Sequence, residues 1–161
     1  GTAWMALLCQ NMLEIAIELA MERLPYVRMC QKFLEHFLWI ASSMTAKGEV
    51  GMWDEDDGFF YDVLQLPDGT SQRLKVRSMV GLLPLCAVTV FEGELREKYP
   101  EIVELMKSFV EQHPDLTKVI HDPRKTGYGG RAMASILDEQ RLRRVLAIEL
   151  TGRHTRARRG A

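Results

Sequence analysis

Apolar residues return every three or four positions from the first turn of the chain onward. Trp4, Met5, Leu8, Met12, Ile15, Ala16 and Leu19 predict a helix from Thr2 to about Arg23. Thr2 is a candidate N-cap, because its hydroxyl can accept from a backbone amide of the first turn. Pro25 ends that helix, since it lacks an amide hydrogen and crowds the preceding turn, and it fits the first turn of the next. The second helix is expected to reach about Ala46, burying Val27, Cys30, Phe33, Leu34, Phe37, Leu38 and Ala41, with Gly48 as its stop. Two helices joined so tightly pack as an antiparallel pair. Their apolar faces are wider than one pair can cover, which predicts further helices around them.

After Gly51 the period shortens. Phe59, Tyr61 and Val63 alternate with Phe60, Asp62 and Leu64, Pro67-Asp68-Gly69 supplies turn chemistry, and the stretch from Arg73 to Arg77 alternates again. A β-hairpin from about Phe59 to Ser78 follows. Met79 to Ala87 then reads as an apolar helix with Pro84 in its first turns. A further helix runs from Pro100 to about Gln112, with Ile102, Val103, Leu105, Met106, Phe109 and Val110 inward, and His113-Pro114 ends it. Residues 121–137 read as irregular, punctuated by Pro123, Gly127, Gly129 and Gly130. Asp138 is placed to cap a last helix from Glu139 to about Leu150, with Leu142, Val145, Leu146 and Leu150 on its inner side. The expected fold is mainly α with an inserted β-hairpin.

Composition changes this picture only at the ends. With 161 residues, 47% apolar and 27% charged, the chain can build one soluble globular domain over residues 1–150. A net charge of -1 gives no reason to expect nucleic acid or an anionic membrane as partner. Residues 151–161 differ: Arg153, Arg156, Arg158 and Arg159 occur without an acid, and the segment reads as a basic, disordered tail. The longest apolar run, Met79 to Phe91, is broken by Gly81 and Pro84 and falls short of the roughly 20 residues a bilayer requires. Gly1 is not an initiator methionine, and the helical rhythm begins at once without a signal peptide. The chain therefore reads as a piece of a longer protein. Cys9, Cys30 and Cys86 lie in apolar surroundings and are odd in number, which predicts buried, reduced thiols and a cytoplasmic location.

Candidate chemistry concentrates in residues 53–78. An EF-hand loop beginning at Asp54 would need glycine at its sixth position and glutamate at its twelfth, where Phe59 and Gln65 stand, so the acidic run is not such a calcium site. The run Asp54-Glu55-Asp56-Asp57 is either a solvated turn capping the hairpin or a source of carboxylates for sugar hydroxyls. Trp53, Phe59, Phe60 and Tyr61 are either core residues or platforms for a pyranose ring, with Asp62 beside them as a hydrogen-bond acceptor. Lys75, Arg77 and Ser78 either pair with the acids of their own hairpin or present donors to a ligand. Gly127-Tyr128-Gly129-Gly130-Arg131 lacks the Gly-Lys-Ser/Thr ending of a phosphate loop. His36, His113, His121 and His154 are scattered, no Cys-x-x-Cys pair suggests zinc, and neither a metal nor a cofactor is expected.

Three stretches carry a family resemblance: Gly1-Thr2-Ala3-Trp4-Met5-Ala6; Trp53-Asp54-Glu55 with Gly58-Phe59-Phe60-Tyr61-Asp62-Val63; and Val76-Arg77-Ser78-Met79-Val80-Gly81-Leu82-Leu83-Pro84-Leu85. Over residues 1–150 the chain resembles bacterial glycoside hydrolase family 63 proteins, the (α/α)6-toroid group of glucosidases and mannosylglycerate hydrolases. The resemblance implies helical hairpins of a partial (α/α)6 toroid and a carbohydrate substrate for the parent protein. It also implies inverting hydrolysis by two carboxylic acids, one protonating the leaving oxygen and one activating water. In the family pattern those acids lie upstream and downstream of this stretch, so no catalytic residue is expected here. Trp4, Tyr61, Asp62 and Arg77 are the expected pocket-lining residues. The alternative from another class is a self-contained helical interaction module whose nine methionines suit an adaptable surface.

Overall fold

The computed structural model describes residues 1–46, 48, 50–117 and 125–157, with the backbone alone described at 96, 117 and 149–157. His121, Pro123 and the end of the basic tail lie outside the described residues. The fold is mainly α, with small strand pairs inserted between helices.

Helices α1 (Thr2–Glu22) and α2 (Val27–Met44) form a hairpin through a 3-10 turn at Leu24–Tyr26 that holds Pro25 in its first positions. The N-cap of α1 is Gly1 and carries no side-chain hydrogen bond; Thr2 is already helical and does not cap. Of the apolar residues whose spacing predicts α1, Ala16 alone lies inward. Ala3, Ala6, Cys9, Gln10, Leu13, Ala16, Ile17 and Ala20 are buried, while Trp4, Met5, Leu8, Met12, Ile15 and Leu19 are exposed. Helix separation follows the side chains at the contact. A face of alanines therefore allows the closest approach to α2, and the bulkier stripe is left outside. On α2 the expected face is inward, led by Cys30, Leu34, Phe37, Leu38 and Ala41, and Trp39 points out.

Strands β1 (Trp53–Asp54) and β2 (Phe59–Phe60) make a short antiparallel pair, Trp53 opposite Phe60 and Asp54 opposite Phe59. A second pair follows, β3 (Asp62–Gln65) with β4 (Ser71–Leu74), closed by a turn in which Leu66 donates to the Thr70 carbonyl at 2.8 Å. The single expected hairpin is thus two, and it ends at Leu74 rather than Ser78. Ser78 instead caps a 3-10 run, Met79–Cys86, accepting from the Val80 amide at 3.3 Å. Gly81 and Pro84 keep this segment from becoming the α-helix expected of its apolar content.

Strand β5 (Val88–Phe91) pairs with β6 (Ala132–Ser135), Val88 opposite Ser135 and Phe91 opposite Ala132. Neither strand is among the expected elements. β6 sits where an irregular loop was expected, since its partner lies far away in sequence and its small side chains give no strand rhythm. Between them lie α3 (Gly93–Lys98), α4 (Pro100–Gln112, with the expected bounds) and a short α5 (Pro114–Thr117). Helix α6 covers Glu139–Ala157, beyond the expected end at Leu150. Asp138 caps it as expected, its carboxylate accepting from the Arg141 amide at 2.8 Å. Of its expected inner residues Val145 is buried, whereas Leu142 and Leu146 are exposed.

One core joins these elements, from Leu13 and Ala16 through Phe37 and Leu38 to Phe59, Phe60, Ile102, Ile136 and Val145. Gln10 enters it as a polar strut, donating to the Ala134 carbonyl of β6 at 3.0 Å. All three cysteines are free thiols, but only Cys9 and Cys30 are buried; Cys86 is exposed at the end of the 3-10 run, because a tight turn cannot hide every side chain of an apolar segment.

Candidate functional site

The acidic run folds into a turn between β1 and β2. Asp54, 4% exposed, accepts from the amides of Asp56 and Asp57 through Oδ1 at 3.1 and 2.9 Å. Gly58 closes the turn at φ +63, a left-handed geometry that L side chains adopt at a cost, and its amide donates to the Asp54 carbonyl at 2.9 Å. Glycine thus fixes where the carboxylates point.

Two cations reach back from β4 and the residue after it. Arg73 Nη1 lies 3.3 Å and Lys75 Nζ 3.0 Å from Asp54 Oδ2. Arg73 also donates through Nε to the Gly51 carbonyl at 2.8 Å and through Nη2 to that of Gly48, tying the end of α2 to the turn. Lys75 further contacts Asp57 Oδ2 at 3.0 Å, and the Arg77 guanidinium approaches Asp57 at 4.0 Å. The Tyr61 hydroxyl donates to Asp57 at 3.1 Å and accepts from Arg77 Nε at 3.3 Å. The cations of the second hairpin therefore pair with acids of the first, and the acidic run is part buried network, part exposed turn at Glu55 and Asp56.

These contacts set the protonation states. The Asp57 amide holds the Asp54 carboxyl below the usual carboxylate range, with lesser help from Lys75 and Arg73 against the opposing effect of burial. The Lys75 hydrogen bond, then that of Tyr61, lowers Asp57, while the same two carboxylates raise Lys75. Both acids are thus held ionised, which suits acceptors of hydroxyl groups and not the protonated partner of a hydrolytic pair.

Around this network the aromatics are core residues. Phe59 and Phe60 are fully buried, Trp53 packs edge-on to Phe60 at 4.9 Å, and Arg141 and Arg144 of α6 lie 5.4 and 5.5 Å from the Trp53 ring. Arg144 also binds Glu55 Oε2 at 2.7 Å, so α6 clamps the acidic turn from the other side. Of the four expected pocket residues, Tyr61 and Arg77 come together directly. Asp62 follows on β3 with an exposed side chain, opposite Leu74. Trp4 stands on the outer stripe of α1, with no hydrogen bond, ion pair or ring contact to the network among the described residues. Arg73 and Arg144 are not among the residues singled out from sequence, although opposite charges flanking a turn are a signal for Arg73. Among the described residues no three His, Cys, Asp or Glu side chains are arranged to hold a metal ion.

No protein-family model matches the chain, and no solved structure does. It is similar to Uncharacterized protein YMR196W of Saccharomyces cerevisiae, 33% identical over a 161-residue alignment that takes in 91% of this chain. The chain spans only 15% of that relative's length.

Proposed function

We propose that this chain is a segment of a cytoplasmic glycoside hydrolase of the family 63 type, contributing helices and one pocket wall to an (α/α)6 toroid. The parent hydrolyses an α-glucoside or a related glycoside with inversion, through two carboxylic acids carried by flanking sequence. The observation that carries this reading is the outer stripe of α1, where Trp4, Met5, Leu8, Met12, Ile15 and Leu19 lie exposed opposite a well-packed face. A contiguous stripe of large exposed apolar side chains marks a face that a further protein element covers, while the exposed Glu14 and Glu18 keep the neighbouring face of the same helix polar. Among the described helices α1 is the one long and apolar enough to cross a bilayer, by length and composition alone. Its alanine-lined face packed on α2 suits an inner helix of a protein toroid.

The Tyr61–Asp57–Arg77 network supports the same reading. Its partly exposed guanidinium and ionised carboxylate, Arg77 and Asp57, are groups that sugar hydroxyls pair with, while the buried Tyr61 holds the two in place. Asp57 in this network and the neighbouring Asp54 are both shifted toward the ionised form, so proton donation falls to residues elsewhere.

The test is to express the 161-residue chain and a polypeptide extended on both sides by its genomic neighbours, and to assay both on aryl α-glucosides and mannosylglycerate. The extended protein is expected to hydrolyse a glycoside with inversion and the short chain to be inert. Arg77→Ala in the extended protein is expected to raise KM about tenfold with kcat nearly unchanged, the loss of one charge-assisted contact. Hydrolysis by the short chain, or an extended protein without carboxylates in its helix-connecting loops, overturns the proposal. An extended protein that is inert but binds a partner helix through the α1 stripe establishes the interaction module instead.

A further inference from the structure

Helix α6 meets the rest of the fold through a face led by arginines. Arg141, Arg144, Val145 and Ile148, three and four residues apart, form its inner side, and of these Val145 alone is fully buried. The other described side chains of the helix, Leu142 and Leu146 among them, are exposed. Two cations thus stand where a docking stripe ordinarily carries apolar side chains. Their guanidiniums lie over the Trp53 ring, 5.4 and 5.5 Å from its centre. Arg144 reaches on to Glu55, donating to its carboxylate at 2.7 Å and to its backbone carbonyl.

A face of this kind holds weakly. The side chains of Arg144 and Glu55 are 32% and 69% exposed, so water and salt compete for the pair. Beneath the arginines Trp53 is 3% exposed, and its indole Nε1 hydrogen has no hydrogen-bond partner among the described residues. A buried donor without an acceptor raises the free energy of the closed arrangement, and uncovering the ring relieves it. The structure under α6 is supported from elsewhere. Trp53 keeps its edge-on contact with Phe60 at 4.9 Å, and Asp54 keeps the amides of its own turn together with Arg73 and Lys75. The chain leading into the helix is anchored as well: Leu137 is buried, and its amide donates to Ser135 Oγ at 3.2 Å. That places the hinge at Asp138, the cap of α6.

We propose that α6 is a lid over Trp53. It lifts about Asp138 as one unit while the core beneath stays packed, and in lifting it opens the indole face and the Glu55 carboxylate to solvent. The lid stands whether or not the parent cleaves glycosides, because every contact it uses lies within this chain. Its consequence is an aromatic face that the fold keeps covered until α6 is displaced.

The experiment uses the full chain with Trp4→Phe and Trp39→Phe, both at half-exposed positions, so that Trp53 is the remaining indole. Native-state hydrogen exchange and acrylamide quenching of Trp53 are measured together. Amides of residues 143–148 are expected to exchange about a hundredfold faster than those of residues 34–41 in α2. Arg141→Gln with Arg144→Gln is expected to raise quenching several-fold and shift the emission to the red, with protection of α2 unchanged. Sodium chloride at about 1 M, where the Debye length falls to about 3 Å, is expected to move the unsubstituted lid part of the way in the same direction. Equal exchange in α6 and α2 would mean one cooperative unit and overturn the lid. A Trp53 equally shielded with and without the arginines would overturn it too. So would a double variant that loses protection in α2 along with α6, since the arginines would then be holding the core and not a movable helix.

Discussion

Single residues set tolerances that the rest of the fold cannot relax. A Cβ at Gly81 would stand 2.3 Å from the Phe59 ring and 2.5 Å from the Phe60 carbonyl, both of them immobile core atoms. Gly81→Ala is therefore expected to destabilise the chain by about 3 kcal/mol, the upper end of overpacking costs, read as a shift of the urea midpoint. The thiols divide in the same way. Burial pushes Cys30 up to about 11 and raises Cys9, whereas Cys86 stands in solvent. A chromogenic disulfide reagent at pH 8 is expected to label one thiol quickly in the native chain and all three after unfolding, with Cys86→Ser removing the fast phase. Sequence had placed all three cysteines inside, because apolar neighbours along the chain report the character of a segment and not the direction of one side chain.

At the scale of elements, the double hairpin and α6 act as one charged clamp, and its acids give it a pH dependence of known sign. Asp54 and Asp57 have folded values below their unfolded value near 3.8, so their contribution is complete above that pH and disappears as pH falls through the lower folded values. Lys75 has a folded value above 10.5, so its share is present below that pH and fades as alkalinity rises past it. Acid unfolding followed by circular dichroism is expected to steepen below about pH 4, and Asp54→Asn should flatten that limb relative to neutral pH. Helical elements were legible from spacing: α2, α4 and the Asp138 cap fall where the periodicity puts them. The β5/β6 ladder was not, because strand pairing between distant segments leaves no local mark. The spacing of α1 marks a helix without marking its inner face, which is made largely of alanines, and small residues carry little periodic signal.

For the whole molecule the decisive property is an apolar surface that packing has not used. Each large side chain of the α1 stripe, about half exposed, leaves on the order of 1 kcal/mol of burial unrealised, and contiguous patches of this kind drive association. The isolated chain is expected to self-associate in sedimentation velocity at micromolar concentration. Leu8→Lys combined with Ile15→Lys should return it to a monomer with unchanged helical content; a wild-type chain that is already monomeric would contradict this use of the stripe. The toroid proposed for the parent rests on a resemblance carried by residues 1–6 and 53–85, while the network inside the second of these stretches is visible only in the fold, since Asp57, Tyr61 and Arg77 converge after two turns. The β5/β6 ladder also dictates the order of events during synthesis. Strand β5 leaves the ribosome roughly 2–9 s before β6 at ordinary translation rates. Until then Gln10 has no carbonyl to grip, and the unzipped edge of β5 is a natural target for a chaperone that recognises extended, valine-rich chain.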